Sequence, residues 1–363
     1  MVSSRGLLII PIRISTPLAY DTSAVWISLP DMSARVHDEV VAAPPDALSL
    51  VLGAPGSGKT SLLVHRLVAL VERSVTPDDQ LIITPSRSQA SVLRDRVGIE
   101  LGLTTRGPRV RSLAAVAFSI VEAFHAQEHL APPDLLQGSQ IDADIAAILE
   151  GHIVDGSGPT WPEPLSEVVR MTPTFRGELR EWMARVSEAG LDHEDLLALA
   201  QRHQRPQWAA ASVFREEFRS VLASARPGAF DSADIVRRAI VVVESGLPEG
   251  VGNLVHCGID DVQDFTSAGL DFLVALRSLG VGLTVVAEPD TAGNTFRGSE
   301  PRALSQLATT WGVAPVVLAE VHRHGSEIRS VVSSITQRIG TAGAGSQRQA
   351  SASPGSGPGT VLS

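Results

Sequence analysis

The chain has 363 residues, is 44% hydrophobic and carries a formal net charge of −10, enough for two domains or for one domain with a large insertion. That charge excludes a broadly basic nucleic-acid coat, so any DNA or RNA contact must come from a local patch. A single cysteine, Cys257, excludes an intrachain disulfide and a cysteine-based zinc site.

The apolar stretch LLIIPI (7–12) is shorter than a signal-peptide core, and no run approaches a membrane span. A soluble, cytoplasmic and nucleoid-associated protein is expected. Residues 1–44 show no strong periodicity and read as an N-terminal extension. LSLVLG (48–53) is a short apolar run that predicts a buried strand, and SLLVHRLVALVER (61–73) has helical spacing. QLIITPS (80–86) repeats the strand-and-turn pattern, and SQASVLRDRVGIEL (88–101) the helical one. Strand alternating with helix predicts an α/β fold with a parallel sheet and crossover helices.

Helical patterns dominate from 113 to 245: LAAVAFSIVEAFHA, QIDADIAAILEGHI, TFRGELREWMARVSEAG, QWAAASVFREEFRSVLASA and DSADIVRRAIVVVESG. This predicts a large all-helical insertion at 119–230 within a discontinuous domain of 45–118 and 231–334. Strand signals return in NLVHCGIDDV (253–262), GLTVVAEPD (282–290) and PVVLAE (315–320). The helical pattern SAGLDFLVALRSLG (267–280) lies between the first two. Residues 335–363 are rich in Gly, Ser and Pro and predict a low-complexity, disordered tail.

Between the first strand and helix lies GAPGSGKT: Gly53, Ala54, Pro55, Gly56, Ser57, Gly58, Lys59 and Thr60. It fits G-x-x-x-x-G-K-[ST] in the strand–loop–helix context that this motif requires. Glycines let successive backbone N–H groups point at phosphate oxygens, and the helix N-terminus favours anions. Lys59 is expected to reach the β and γ phosphates of ATP, and the Thr60 hydroxyl to ligate Mg²⁺. Such a loop requires an acidic partner on a later strand. Asp260 of IDDVQD is expected to hold the Mg²⁺ shell, and Asp261 to polarise the attacking water.

The order GAPGSGKT, TPSRSQASVLRDRV, IDDVQD, NTFRG, VHR resembles that of superfamily 1 UvrD-like DNA helicases, over about residues 33–332. The insertion resembles that of the actinobacterial AdnA/AdnB helicase–nuclease subunits. The resemblance implies a RecA-like first motor domain that binds ATP, Mg²⁺ and single-stranded DNA in repair or recombination. A second motor domain or partner helicase–nuclease subunit would complete it. It further implies DNA contacts at Thr84, Pro85, Ser86, Arg87 and Ser112, base stacking on Phe296, and an approach of Arg323 to the γ-phosphate. Several family positions differ. No adenine-reading Gln lies near Ser33, Ala114 replaces a His, and the acidic pair is Asp260-Asp261 where Asp-Glu is usual. Thr291 stands where a γ-phosphate-sensing Gln is usual. Aspartate is shorter by about 1.5 Å, a misplacement that can cost roughly 10²-fold in rate. On this reading the chain is a truncated motor, weakly active alone. The alternative is a vestigial, non-catalytic subunit that grips DNA or a partner helicase.

Overall fold

The computed structural model describes residues 32–293, 298–338, 340 and 345–353; residues 1–31 and the stacking position Phe296 lie outside them. By its own contacts the chain separates into two compact units, one containing 128–237 and the other 32–127 together with the described residues from 238 onward.

Within the expected N-terminal extension, α1 (Met32–Ala42) is a helix, although the sequence suggested no element there. Its apolar contribution is small: Val36, Val40 and Val41 pack on the core. There follow β1 (Leu48–Gly53), α2 (Lys59–Glu72), β2 (Gln80–Thr84), α3 (Arg87–Leu101), β3 (Val110–Ser112) and α4 (Leu113–Gln127).

The second unit is almost wholly helical. It holds β4 (Asp134–Leu135), α5 (Gly138–Asp155), α6 (Glu167–Arg170), α7 (Pro173–Ala189), α8 (His193–Arg202), α9 (Pro206–Ala225) and β5 (Ala229–Phe230). Helix α10 (Ser232–Ser245) begins in it. Its core is aromatic, with Trp182, Trp208 and Phe214 buried among Ile145, Leu179 and Leu196. The sequence reading lacked α8, whose apolar residues form one unbroken run, LLALA, without helical spacing; a capping box at Asp192 and Asp195 starts it.

The chain then returns to the first unit with β6 (His256–Ile259), α11 (Ser267–Ser278), β7 (Gly282–Ala287), α12 (Ala303–Trp311), β8 (Val316–Leu318), β9 (Glu320–Val321), α13 (Ser326–Thr336) and β10 (Ser351–Ala352). The main sheet has the order β3-β2-β6-β7-β1-β8, with every pairing parallel. Register sets Leu50 against Val285 and Ile82 against Gly258. Every residue of β2, β6 and β7 is buried, as a sheet covered by helices on both faces demands. Because all strands run one way, the loops after β1, β2, β6 and β7 emerge on a single edge. Ligands of open α/β sheets bind at that edge.

Residues 345–353 lie in the segment expected to be disordered, and they carry local structure. A 3-10 turn at Ser346–Gln349 leads into β10, which pairs in parallel with β9. Ala350 packs on Ala54 and Val321. Residues 354–363 lie outside the described ones.

Arg66 fastens the entry to β1. It is 1% exposed and donates to the carbonyls of Val41, Ala43 and Pro44, at and just past the C-terminal end of α1. Arg73, exposed, donates to Ala42 and Ala43. Arg66→Ala is expected to cost about 2–3 kcal/mol and Arg73→Ala less than about 1 kcal/mol, read from urea unfolding midpoints. Equal losses would contradict this account of the helix end.

Candidate functional site

The loop between β1 and α2 turns tightly enough for Lys59 to fold back over it. Gly58, the N-cap of α2, has φ 87°, a left-handed conformation that favours glycine. At Gly53 a Cβ would lie 2.2 Å from Ser57 Oγ and 2.8 Å from Lys59 Cγ, so only glycine admits this approach. Lys59 Nζ donates to the carbonyls of Gly53 (2.8 Å) and Ala54 (3.1 Å) and lies 3.7 Å from Glu288 Oε2. Burial lowers its pKa, opposed by the carboxylates of Glu288, Asp261 and Asp260.

Thr60 Oγ1 donates to Asp260 at 3.2–3.3 Å, joining residues 200 positions apart. Asp260 sits just past β6 and is 7% exposed. Burial, and then the Asp261 charge, push its pKa up to about 7, against the Thr60 hydrogen bond and Lys59. Asp261 follows with φ 48°, a left-handed conformation that Asp tolerates. Its carboxylate accepts from Gln263 Nε2 (3.1 Å) and Gln89 Nε2 (3.3 Å).

Arg323 joins this group from the chain after β9. His322 N–H donates to the Gly56 carbonyl at 3.0 Å. Arg323 Cβ stands 2.8 Å from where a Gly56 Cβ would be. Its charge lowers the pKa of Lys59. The loop residues 53–60, Asp260, Asp261 and Arg323 therefore assemble at one place.

The expected DNA-contact residues that are described, Thr84–Arg87 and Ser112, assemble around the end of β2. Thr84 is buried and its hydroxyl donates to the Ser86 carbonyl at 2.9 Å. Pro85 and Ser86 are half-buried and Arg87 is exposed. Ser86 caps α3. Ser112 is the register partner of Thr84, but it is buried, and its hydroxyl accepts the Ala115 N–H at the start of α4.

The sequence reading assigned no role to Glu288, which follows β7. It is 1% exposed, its pKa is pushed up to about 7 by burial, and neither carboxylate oxygen has a hydrogen-bond partner. AEPDT lies at a recognised motif position, but only the fold shows Glu288 facing Lys59. Asp290, two residues on, is paired with Arg348 and accepts from Gln347 Nε2 at 3.1 Å. Thr291 Oγ1 donates to the Glu288 carbonyl.

This donor set suits a triphosphate with a divalent cation. Lys59 and the loop amides offer donors to anionic oxygens. Ser57 Oγ is buried without a partner, and the Thr60 hydroxyl beside a carboxylate supplies hard oxygen ligands.

Asp260 also sets a pH dependence. Its pKa rises from 3.8 to about 7 on folding, so the folded chain keeps a proton that the unfolded chain loses between those values. Its contribution to stability is thus best at low pH and declines as pH climbs through that window. Asp260→Asn is expected to raise the melting temperature at pH 8, by a few kcal/mol of stability, with the gain vanishing by about pH 4. A gain of equal size at both pH values would contradict the buried-carboxylate assignment.

ATP-dependent DNA helicase srs2 of Schizosaccharomyces pombe (strain 972) is 24% identical over 272 residues, covering 73% of this chain and 30% of that protein. DNA helicase II of Escherichia coli (strain K12) is 34% identical over 93 residues, covering 25% of this chain and 13% of that one. The chain thus spans less than a third of the length of either relative. No described helix is long and apolar enough to cross a membrane. Residues 36–311 match the UvrD/REP helicase N-terminal domain, and the chain belongs to that family.

Proposed function

We propose that this chain is the ATP-binding part of a UvrD-like DNA helicase motor, coupling ATP hydrolysis to movement on single-stranded DNA in repair or recombination. The observation that carries this reading is the convergence of Lys59, Thr60, Asp260 and Asp261 on one edge of a parallel sheet. The names of both relatives, each a DNA helicase, support it.

In this reading the loop amides and Lys59 hold the phosphates, with Lys59 exchanging the Gly53 and Ala54 carbonyls for charged oxygens. Such charge-assisted bonds are roughly twice as strong as neutral ones. Thr60 and ionised Asp260 would hold a divalent cation, whose chemistry when bound would be to offset negative charge on the phosphates. Asp261 orients the attacking water. Glu288 balances Lys59 in a buried setting, and Arg323, seated against Gly56, faces the γ-phosphate. The turn Pro85–Arg87 meets the DNA backbone, with buried Thr84 and Ser112 shaping it from below, and Phe296 stacks on a base. The likeness of the insertion to AdnA/AdnB subunits supports a partner helicase–nuclease subunit or a second motor domain as a further binding party.

A second reading, a vestigial subunit that grips DNA without turnover, is favoured by one observation. Thr291 bonds to its own loop at the Glu288 carbonyl, where relatives of this type carry a γ-phosphate-sensing glutamine.

Turnover of ATP with and without poly(dT), beside Lys59→Ala, separates the two. The motor reading expects DNA-stimulated hydrolysis that falls by about 10²-fold or more in the variant. DNA binding indifferent to ATP would favour the vestigial subunit. Turnover indifferent to DNA would overturn both.

A further inference from the structure

Asp261 is held by two amide donors from different elements, and each donor is itself held. Gln263 is buried, and its Oε1 accepts the Glu288 N–H at 3.0 Å while its Nε2 donates to Asp261 Oδ1. Gln89, in the first turn of α3, donates Nε2 to Asp261 Oδ2. Its Oε1 accepts the Ser86 hydroxyl at 2.7 Å. These orientations are forced. An ionised carboxylate only accepts, so the Gln89 NH₂ must face Asp261 and its carbonyl must face Ser86. Ser86 has one hydroxyl proton, and Gln89 receives it. The remaining Ser86 lone pairs face the Gln89 N–H at 3.3 Å and the Ser88 hydroxyl at 3.0 Å. Two hydrogen bonds therefore connect the turn after β2 to the carboxylate after β6.

We infer that Gln89 is a positioning residue that restrains Asp261, and that a nucleic-acid phosphate taking the Ser86 proton releases the restraint. The inference rests on the proposed roles of Asp261 toward water and of the β2 turn toward DNA. A phosphate oxygen is purely an acceptor and needs the single proton that Gln89 now holds. Its charge-assisted bond is roughly twice as strong as the neutral one, so the exchange favours phosphate. Gln89 Oε1 then loses its donor, and the amide is free to turn from Asp261. Asp261 Oδ2, no longer accepting from Gln89, is then open to accept a hydrogen bond from a water. The ATP site is thereby quiet without DNA and released by it. The length of the acidic side chain is part of the device. With Asp at 261, the carboxylate stays within reach of both glutamines.

The test compares turnover of the full chain, with and without (dT)16, for wild type, Gln89→Ala and Ser86→Ala. Both variants are expected to raise the DNA-free kcat about three- to tenfold, the worth of one hydrogen bond, with KM for ATP unchanged. Stimulation by (dT)16 should fall toward one. A merely structural Gln89 would instead lower turnover by the same factor with and without DNA, and that result overturns the proposal. A second readout needs no turnover: the ¹⁵N side-chain amide resonance of Gln89, assigned by its loss in Gln89→Ala. It should shift when (dT)16 is added to wild type. An unmoved resonance, or no (dT)16 binding by anisotropy, overturns the inference. Fluorescent mant-ATP separates the failures. If the nucleotide does not bind, the proposed function fails; if it binds while Gln89 stays unmoved, only this inference does.

Discussion

The hydrogen bond from Thr60 to Asp260 is the contact on which the rest of the site depends. It joins the start of α2, which follows β1, to the end of β6, a strand separated from β1 in the sheet by β7. Only the parallel order of that sheet brings both ends to one edge. The same order places Glu288, after β7, between them and facing Lys59. Two buried carboxylates with pKa values near 7 and a partly buried lysine with a lowered one form a cluster whose charges do not settle one another. Burial of incompletely paired charge is costly in a core, and it is tolerated where a charged ligand completes the balance.

Around this centre the chain closes from its far end. His322 binds the Gly56 carbonyl, Ala350 packs on Ala54 and Val321, and Arg348 pairs with Asp290. Arg329 is buried and donates to the carbonyls of Ala350, Arg348 and Gln347. The segment after α13 is thereby tied to the same edge as the phosphate loop, and Arg323 is held where its charge reaches Lys59. Backbone pairing and a few side chains achieve this without a large apolar surface.

Much of this was legible in the sequence because it is local. A strand, a glycine loop and a helix are contiguous from 48 to 73, so GAPGSGKT could be assigned from its own context. The long helices from α4 to α10 have strong periodicity, and the apolar runs at β1, β2, β6, β7 and β8 carry their own boundaries. Residues that act through distant partners were not legible. Gln89 and Asp261 are 172 positions apart, and nothing in TPSRSQ tells which residue will face an acid. In the sequence Glu288 is one more polar residue in a turn; its burial opposite Lys59 comes from the fold. The segment 345–353 carries Gly, Ser, Gln, Arg and Ala, and of these Ala350 alone joins a hydrophobic cluster. Its order comes from backbone bonds to Ala319 and Val321 and from one ion pair, and hydropathy does not register either. Helix α1 was missed for a related reason, since three valines suffice to seat it.

The central claim is that the loop amides, Lys59, Thr60 and Asp260 together bind a nucleoside triphosphate through a divalent cation. Isothermal titration of the folded chain with ATP, in the presence and absence of Mg²⁺, tests it most directly. The account predicts one saturable site whose affinity is markedly greater with Mg²⁺. Absence of heat with folded protein, or binding that is the same with and without Mg²⁺, would contradict it.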